Sequence, residues 1–319
     1  MLPGPLRYRL PTLIRRGVSH GLIPFEWAAR PRYRQFRDGW SNGVPQTFNE
    51  KVQYKMMHDR RPVVKIYSDK IAARDHVRAL LPHLALPRLL GVHQTLAEVL
   101  AHLPPAPWVM KGSHGAGMVF ITKPGQRVDP DEVARHVGGW LATDYSIFHW
   151  EWQYHRLPRR ILFEEYLGTP EEPPADYKLF TLHQQVRLIT VDRGRFGRHT
   201  RDVFRPDWTR LPTRKGKTPN SATPPARPPQ LEAMIDIAQR LGQGHDFVRV
   251  DLYVVDGQIY FGELTHSPAA GTTPFEDHEL DLELGGRWHL PSSYQEEAPP
   301  CELPSATGSA NRRRGTLAA

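Results

Sequence analysis

The stretch FVRVDLYVVDGQIYFGELTHSP, residues 247–268, sets Arg249, Asp251 and Glu263 into an otherwise apolar hairpin. In a strand, successive side chains point to opposite faces of the sheet, so parity decides which residues share a face. Val248, Val250, Leu252 and Val254 alternate with Arg249, Asp251 and Tyr253; on the second strand Tyr260, Gly262 and Leu264 alternate with Phe261, Glu263 and Thr265. A two-residue Asp256-Gly257 loop leaves Glu263 on the apolar face, whereas a three-residue Val255-Asp256-Gly257 loop with a left-handed Gly257 unites the polar groups. Hydrophobic burial therefore selects the three-residue loop, with Arg249 opposite Glu263, Asp251 opposite Phe261, and the two carboxylates diagonal neighbours. Carboxylates that close repel unless positive charge lies between them. Arg249 meets that need as a cross-strand ion pair on a solvated face. A divalent cation meets it too: Mg²⁺ takes hard oxygen ligands, retains waters and bridges to phosphates.

Other residues of the chain could handle phosphate. In WVMKGSHGAGM a glycine-rich turn joins two strands, unlike the Walker loop, which opens a helix. Glycines there let main-chain N–H groups approach a phosphate, and Lys111 at the preceding strand end can reach over it; the plain alternative is a flexible hairpin loop. Glu164-Glu165, after Ile161-Leu162-Phe163, places one carboxylate inward and one outward, suited to a ribose or an adenine amino group, or simply solvated. Lys178, beside Asp176 in ADYKLF, either snorkels or points at a ligand anion.

These groups need elements to hold them. Thr47-Phe48-Asn49-Glu50 has capping-box spacing ahead of a helix in KVQYKMMHDR. Ser68 or Asp69 caps a second helix, DKIAARDHVRALL, stopped by Pro82. The spacing predicts a short buried strand over 86–92 and a helix over 95–102, then strands over 108–111 and 118–121, and in ILFEEYL, DYKLFTL and VRLITVD. Residues 212–230 read as a flexible Pro-, Thr- and Lys-rich loop. Leu231, Met234, Ile235, Ala238 and Leu241 mark a helix at 3.6 spacing. Helices and antiparallel hairpins alternate irregularly, which indicates an α+β fold.

The 319 residues, 39% hydrophobic and 24% charged, suit a soluble globular chain of two or three subdomains. No run approaches the ~20 apolar residues that span a bilayer, and the basic N-terminus lacks the apolar stretch of a secretory signal. Cys301 is the only cysteine, so intrachain disulfides and cysteine metal sites are excluded and a reducing cytoplasm is expected. The formal charge of +8 favours anionic partners. No zinc-finger spacing or aromatic-interleaved basic repeat points to nucleic acid. Residues 1–45 form a basic Arg- and Pro-rich segment, either a docking arm or short helices; 291–319 lack the apolar content to fold and read as a disordered tail.

In order along the chain, Asp69-Lys70, Lys111 with its glycine loop, Glu164-Glu165, Lys178, Arg249-x-Asp251 and Glu263-Leu264-Thr265 resemble the ATP-grasp enzymes. The runs TFNEKVQYKMMHDR, SDKIAARDHV, VMKGSHGAGM, EWQY, DYKLF and RVDLYVVDGQIYFGELT are similar to the TupA-like branch, associated with teichuronopeptide and other surface-polysaccharide synthesis, from about Thr47 to Trp288. The resemblance implies an ATP-grasp fold over 106–290, two α+β lobes clamping ATP, after a subdomain over 46–105. It implies Lys70, Lys111 and Lys178 as phosphate ligands, Gly115 and Gly117 in the covering loop, and Glu164 and Glu165 on the nucleoside side. Asp251, Glu263 and Thr265 become ligands of Mg²⁺, and Arg249, with Lys178, acts catalytically against developing negative charge. Thr265 stands where many relatives carry asparagine, which changes the reach available to a second metal.

The activity this resemblance implies is that of an ATP-dependent carboxylate–amine ligase, with a phosphotransferase, a polysaccharide-synthesis transferase and a non-catalytic glycan-binding protein as rivals. The resemblance further implies carboxylate and amine substrates, among them an acidic cell-surface glycan or its precursor. It places the work in the cytoplasm, at the inner face of the membrane; the His-rich run EWQYHRLPRR is itself expected to line the acceptor groove.

Overall fold

The computed structural model describes residues 4–294 apart from 170, 171 and 196, with side chains from residue 12 onward. The basic N-terminal segment forms two helices, α1 (Gly4–Ser19) and α2 (Phe25–Asp38). Next come α3 (Phe48–His58), α4 (Pro62–Ser68) and α5 (Lys70–Leu80). The capping box is present: Glu50 N donates to Thr47 Oγ1 at 3.2 Å, and Thr47 N donates to Glu50 Oε2 at 2.9 Å. Asp69 rather than Ser68 caps α5, its carboxylate accepting from Ile71 N at 3.0 Å.

A four-stranded sheet comes next, built from β1 (Leu89–His93), β2 (Trp108–Gly112), β3 (Val119–Ile121) and β4 (Ile161–Glu165) in the order β1-β4-β2-β3. Helices α6 (Leu96–Ala101), α7 (Pro130–Ala142) and α8 (Ser146–His149) lie between these strands in the chain. Alternation divides the sheet: Trp108, Met110, Ile161 and Phe163 pack with Val99, Val133 and Val137 of α6 and α7. Val109, Lys111, Val119 and Ile121 are left on the opposite face.

The larger sheet comprises β5 (Asp176–Leu182), β6 (Gln185–Arg193), β7 (Thr200–Phe204), β8 (Arg210–Leu211), β9 (Phe247–Val255) and β10 (Gln258–Thr265), ordered β10-β9-β5-β6-β7-β8, with α9 (Leu231–Leu241) before β9 and α10 (His278–Gly286) after β10. All described pairings in both sheets are antiparallel. One face is largely apolar: Leu179, Val248, Val250 and Leu252 pack on Leu231, Met234 and Leu241 of α9. The other face is split along each strand. Phe180, Leu182 and Phe247 lie under Phe48 of α3 and Leu280 and Leu284 of α10. Asp176, Lys178, Arg249 and Asp251 continue the same rows beyond that cover, free to build a polar site.

The β9–β10 register corrects the expected three-residue loop. Gln258 pairs with Val255 across a two-residue Asp256-Gly257 turn whose φ values, 50° and 80°, are both left-handed. Ile259 and Phe261 then share the core face with Val254 and Leu252. The register slips by one residue at Gly262, a β-bulge, and from there Glu263 faces Asp251, Leu264 faces Val250 and Thr265 faces Arg249. The two carboxylates are direct partners rather than diagonal ones, and Arg249 faces Thr265 rather than Glu263. Parity failed because it assumed an unbroken ladder; a bulge changes parity halfway along the strand.

The 212–230 segment is tied at several points: Asn220 Nδ2 donates to the carbonyls of Arg201 and Thr213 at 2.8 and 3.0 Å, and Lys215 Nζ donates to Thr273 O at 2.7 Å. Of the expected disordered tail, Pro291–Tyr294 is described, and the Tyr294 hydroxyl donates to Asp246 Oδ2 at 2.7 Å; residues 295–319 lie outside the described residues.

Candidate active site

A cavity of about 580 Å³ lies between the two sheets. Lys70, Lys111, Gly117 and Glu164 line one side, and Arg249, Glu263 and Thr265 the other. The fold thus brings Lys70, Lys111, Gly117, Glu164, Glu165, Arg249, Glu263 and Thr265 to one space, while Gly115, Lys178 and Asp251 do not line it.

On the small-sheet wall, β2 aims Lys111 into the cavity, where its Nζ donates to Glu164 Oε2 at 2.5 Å. Glu164 is buried and also accepts from Arg74 Nη1 of α5. It therefore orients two cations rather than lying open. Glu165 is half-buried, with Oε1 accepting from Arg88 N at 2.7 Å. Lys70, at the start of α5, donates from Nζ to Gly115 O at 2.6 Å, and burial holds its pKa below the usual lysine range. The turn of residues 113–118 is closed by Gly112 N donating to Met118 O at 3.0 Å. Gly117 has φ of 72° and open space where a side chain would stand, so its backbone faces the cavity freely. Gly115 is glycine for another reason: a Cβ there meets the Tyr145 ring at 2.8 Å, and it is packed against protein rather than exposed on the wall.

On the large-sheet wall, Arg249 is the hub. Its Nε donates to Asp251 Oδ1 at 2.6 Å, one Nη to Asp251 Oδ2 at 2.7 Å, and the same Nη to Thr265 Oγ1 at 3.0 Å. Thr265 in turn donates to Glu263 Oε1 at 2.8 Å. Burial works against the charge on Arg249, but Asp251 and Glu263 outweigh it and raise its pKa above the ordinary value. Glu263 likewise keeps its charge: burial pushes upward, yet Lys70, Arg249 and Lys178 hold its pKa down at about 2.

The structure places Lys178 behind this wall. It is buried, and its ammonium reaches three aspartates: Asp176, Asp251 at 2.7 Å and Asp192 at 3.8 Å. Asp251 is equally deep, both oxygens engaged by Arg249 and Lys178. Sequence reading missed the rest of this network. Asp192 also accepts from Arg201 at 2.8 Å, and Arg195 donates to Asp176 at 3.0 Å. Alternation along VRLITVD would have put Asp192 beside Lys178 once β5 and β6 were paired. Glu151 was missed as an individual, though EWQY stands out as a run; it too lines the cavity.

Glu263 and Thr265 offer cavity-facing oxygens that suit Mg²⁺, whereas both oxygens of Asp251 are engaged by Arg249 and Lys178. Asp251 and Glu263 are facing carboxylates, Thr265 adds a neutral oxygen, and Glu263 has a side chain 37% exposed and held ionised. Among the described residues no group of three or more His, Cys, Asp or Glu could hold a metal unaided. A metal held by one or two carboxylates takes its remaining ligands from phosphate and water, as is usual for Mg²⁺. Arg249 and Lys178 stand against Asp251 and balance its charge.

A family model described as TupA-like ATPgrasp matches residues 50–289. No curated protein matches the chain in sequence. Among solved structures, the chain is similar to D-alanine–D-alanine ligase from Helicobacter pylori, at 14% identity over 77% of this chain and 69% of that one, with a TM-score of 0.44. It is similar to D-cycloserine synthetase DcsG, at 17% identity over 71% of each chain and a TM-score of 0.41, and to the ATP-grasp ligase PsnB complexed with minimal precursor, at 13% identity over 65% of this chain, 54% of that one and a TM-score of 0.38. The chain spans about half the length of PsnB. The family match covers most of the sequence and most of both sheets, and the chain belongs to the TupA-like ATP-grasp family and has the ATP-grasp fold.

Proposed function

We propose that this protein is an ATP-dependent carboxylate–amine ligase that acts through an acyl phosphate in the assembly of a cell-surface polysaccharide such as teichuronopeptide. The observation that carries this reading is the opposition of walls in one cavity: Lys70, Lys111 and the Gly117 turn face Arg249, Glu263 and Thr265. In the proposed reaction a substrate carboxylate oxygen attacks the γ-phosphorus of ATP, and ADP leaves with the electron pair of the broken P–O bond. An amine nitrogen then attacks the acyl carbon, and inorganic phosphate departs with the C–O electron pair.

The chain's own part is positioning and charge. Lys111 and Lys70 bring positive charge to the phosphates, and the turn with Gly115 and Gly117 covers them. Glu164 and Glu165 stand on the nucleoside side. Arg249 faces the oxyanion of the acyl-transfer step, a role that preorganised donors perform best in a water-poor site. Lys178 acts from behind the wall, setting the charge and direction of Asp251. Asp251, Glu263 and Thr265 would hold Mg²⁺, which would supply charge to offset the transferring phosphoryl group. No step needs a protein nucleophile.

The +8 balance favours an anionic partner, here an acidic cell-surface glycan or its precursor handled in the cytoplasm at the inner face of the membrane. Among the described residues no helix is long and apolar enough to cross a membrane. The test is ATP turnover with Mg²⁺, assaying ADP and AMP separately, with uronic acids as carboxylates and amino acids as amines. ADP and phosphate released only when both substrates are present support the ligase. Phosphate transferred to a hydroxyl without any amine overturns it.

A further inference from the structure

We propose that Glu151 forms an ammonium-binding subsite at one end of the cavity and takes the first proton from the amine substrate; this rests on the ligase reading above. Trp150, at φ 59°, ends α8 in the left-handed conformation, and Glu151 comes next with its side chain turned inward, only 5% exposed and on the cavity wall. Its Oε1 accepts from Ser267 Oγ at 2.9 Å and from Gln153 Nε2 at 3.2 Å, and Gln153 also donates to Ser267 Oγ. Among the described residues Oε2 receives no hydrogen bond, and no Lys, Arg or His forms an ion pair with this carboxylate.

Every other carboxylate beside the cavity centre has a cation: Asp251 has Arg249 and Lys178, Glu164 has Lys111 and Arg74, Asp176 has Lys178 and Arg195. A buried carboxylate without one is costly unless it protonates or meets a cationic ligand. Burial accordingly raises the Glu151 pKa to about 7, with Ser267 and Gln153 only moderating the shift.

The surroundings suit an organic cation. The titratable groups facing Glu151 are the phenols of Tyr33, Tyr145 and Tyr154. Tyr145 and Tyr154 feel the charge of both Glu151 and Glu263 and line the same cavity as those carboxylates. Their rings contact edge to face at 4.8 Å, and aromatic faces favour ammonium groups. Ser267 lies two residues beyond Thr265, so the strand that carries the metal candidates also fixes Glu151. Beyond it, Ala269 and Ala270 are both left-handed at φ 51°, an uncommon conformation that clusters at ligand sites, and Ala269 lines the same cavity.

The step balances. The ammonium R′NH₃⁺ gives one proton to Glu151 Oε2, and the neutral amine attacks the acyl phosphate. As the C–N bond forms, the C–O bond to phosphate breaks; the second proton leaves with hydrogen phosphate, and Glu151 returns its proton to solvent.

The experiment compares wild type with Glu151→Gln, using glucuronate and galacturonate as carboxylates and either hydroxylamine or an amino acid as nucleophile. Hydroxylamine is neutral at neutral pH and needs no base. Expected is hydroxamate formation at the wild-type rate, with amide formation reduced about 100-fold or more, the range for loss of a positioned base. Equal loss with both nucleophiles, or an unchanged amide rate, overturns the proposal. Absence of hydroxamate from wild type counts against the ligase reading instead. Independently of turnover, the carboxyl titration assigned by wild-type minus Glu151→Gln infrared difference spectra should move to lower pH with methylammonium relative to sodium. An unmoved titration overturns the subsite.

Discussion

Asp251 and Glu263 face each other across β9 and β10, yet their surroundings suit different tasks. Asp251 is enclosed by two cations, and Glu263 looks into the cavity. Asp251→Asn and Glu263→Gln are each expected to cut ADP release by about 100-fold or more, on the scale of removing one preorganised electrostatic group. Urea denaturation alongside turnover separates this from unfolding, and normal turnover in both variants would remove the metal assignment. The folded pKa of Glu263 lies near 2 against an ordinary 4.5, so its stabilising contribution is full above about pH 4.5 and is lost as pH falls toward 2. Glu151 has the opposite sign. With a folded pKa of about 7, the folded state binds more protons than the unfolded chain, and stability declines as pH rises from 4.5 to 7. Glu151→Gln, neutral at every pH, should therefore be more stable than wild type at pH 8, by on the order of 3 kcal/mol at most, and nearly equal at pH 4. Chemical denaturation at the two pH values checks it. Residue types were legible at this scale, since carboxylates and lysines in apolar strands stand out. Lys178 as a partner of Asp251, and Arg74 and Lys111 as partners of Glu164, were not, because they come from other elements.

At the scale of elements, local signals held where the interaction is local. The Thr47–Glu50 capping box joins residues three apart and needs no partner segment. The hairpin register depended on more. Asp256-Gly257 makes a left-handed two-residue turn, and Gly262 then slips the ladder by one residue. A Cβ at Gly262 meets Asp251 O at 2.9 Å and the Tyr253 ring at 3.1 Å, so the bulge requires a bare backbone there. Gly262→Ala is expected to destabilise by about 1–3 kcal/mol through that crowding. It should also raise the Glu263 titration midpoint, as Glu263 loses its alignment with Arg249 and Thr265. Thermal unfolding and a carboxyl titration test the two effects together; loss of stability with an unmoved midpoint would show that the bulge does not align the site.

The whole molecule is pinned at Asp246, just before β9. Lys55 of α3 and Arg61 reach it as cations, and Trp288 Nε1 and the Tyr294 hydroxyl donate to Oδ2 at 2.9 and 2.7 Å. Burial opposes ionisation, but Lys55 leads the groups that hold Asp246 well below the carboxylate range. Its contribution is present above about pH 4 and lost in acid. Asp246→Asn should cost about 2–3 kcal/mol, since it takes one of two carboxylates from buried Lys55 and leaves it Asp59 at 3.0 Å, and flatten the fall in stability below pH 4. Urea denaturation across pH decides it. By itself the sequence determined residue chemistry, strand alternation, helix caps and the order of motifs, all set by neighbours within a few positions or by type alone. Only the tertiary structure decided that the split face of the large sheet meets the Lys111 face of the small one, that Gly262 brings Glu263 opposite Asp251, and that Glu151 has no ion-pair partner among the described residues. Those facts depend on the distance between segments up to two hundred residues apart, and such distances arise from packing, which no local pattern encodes.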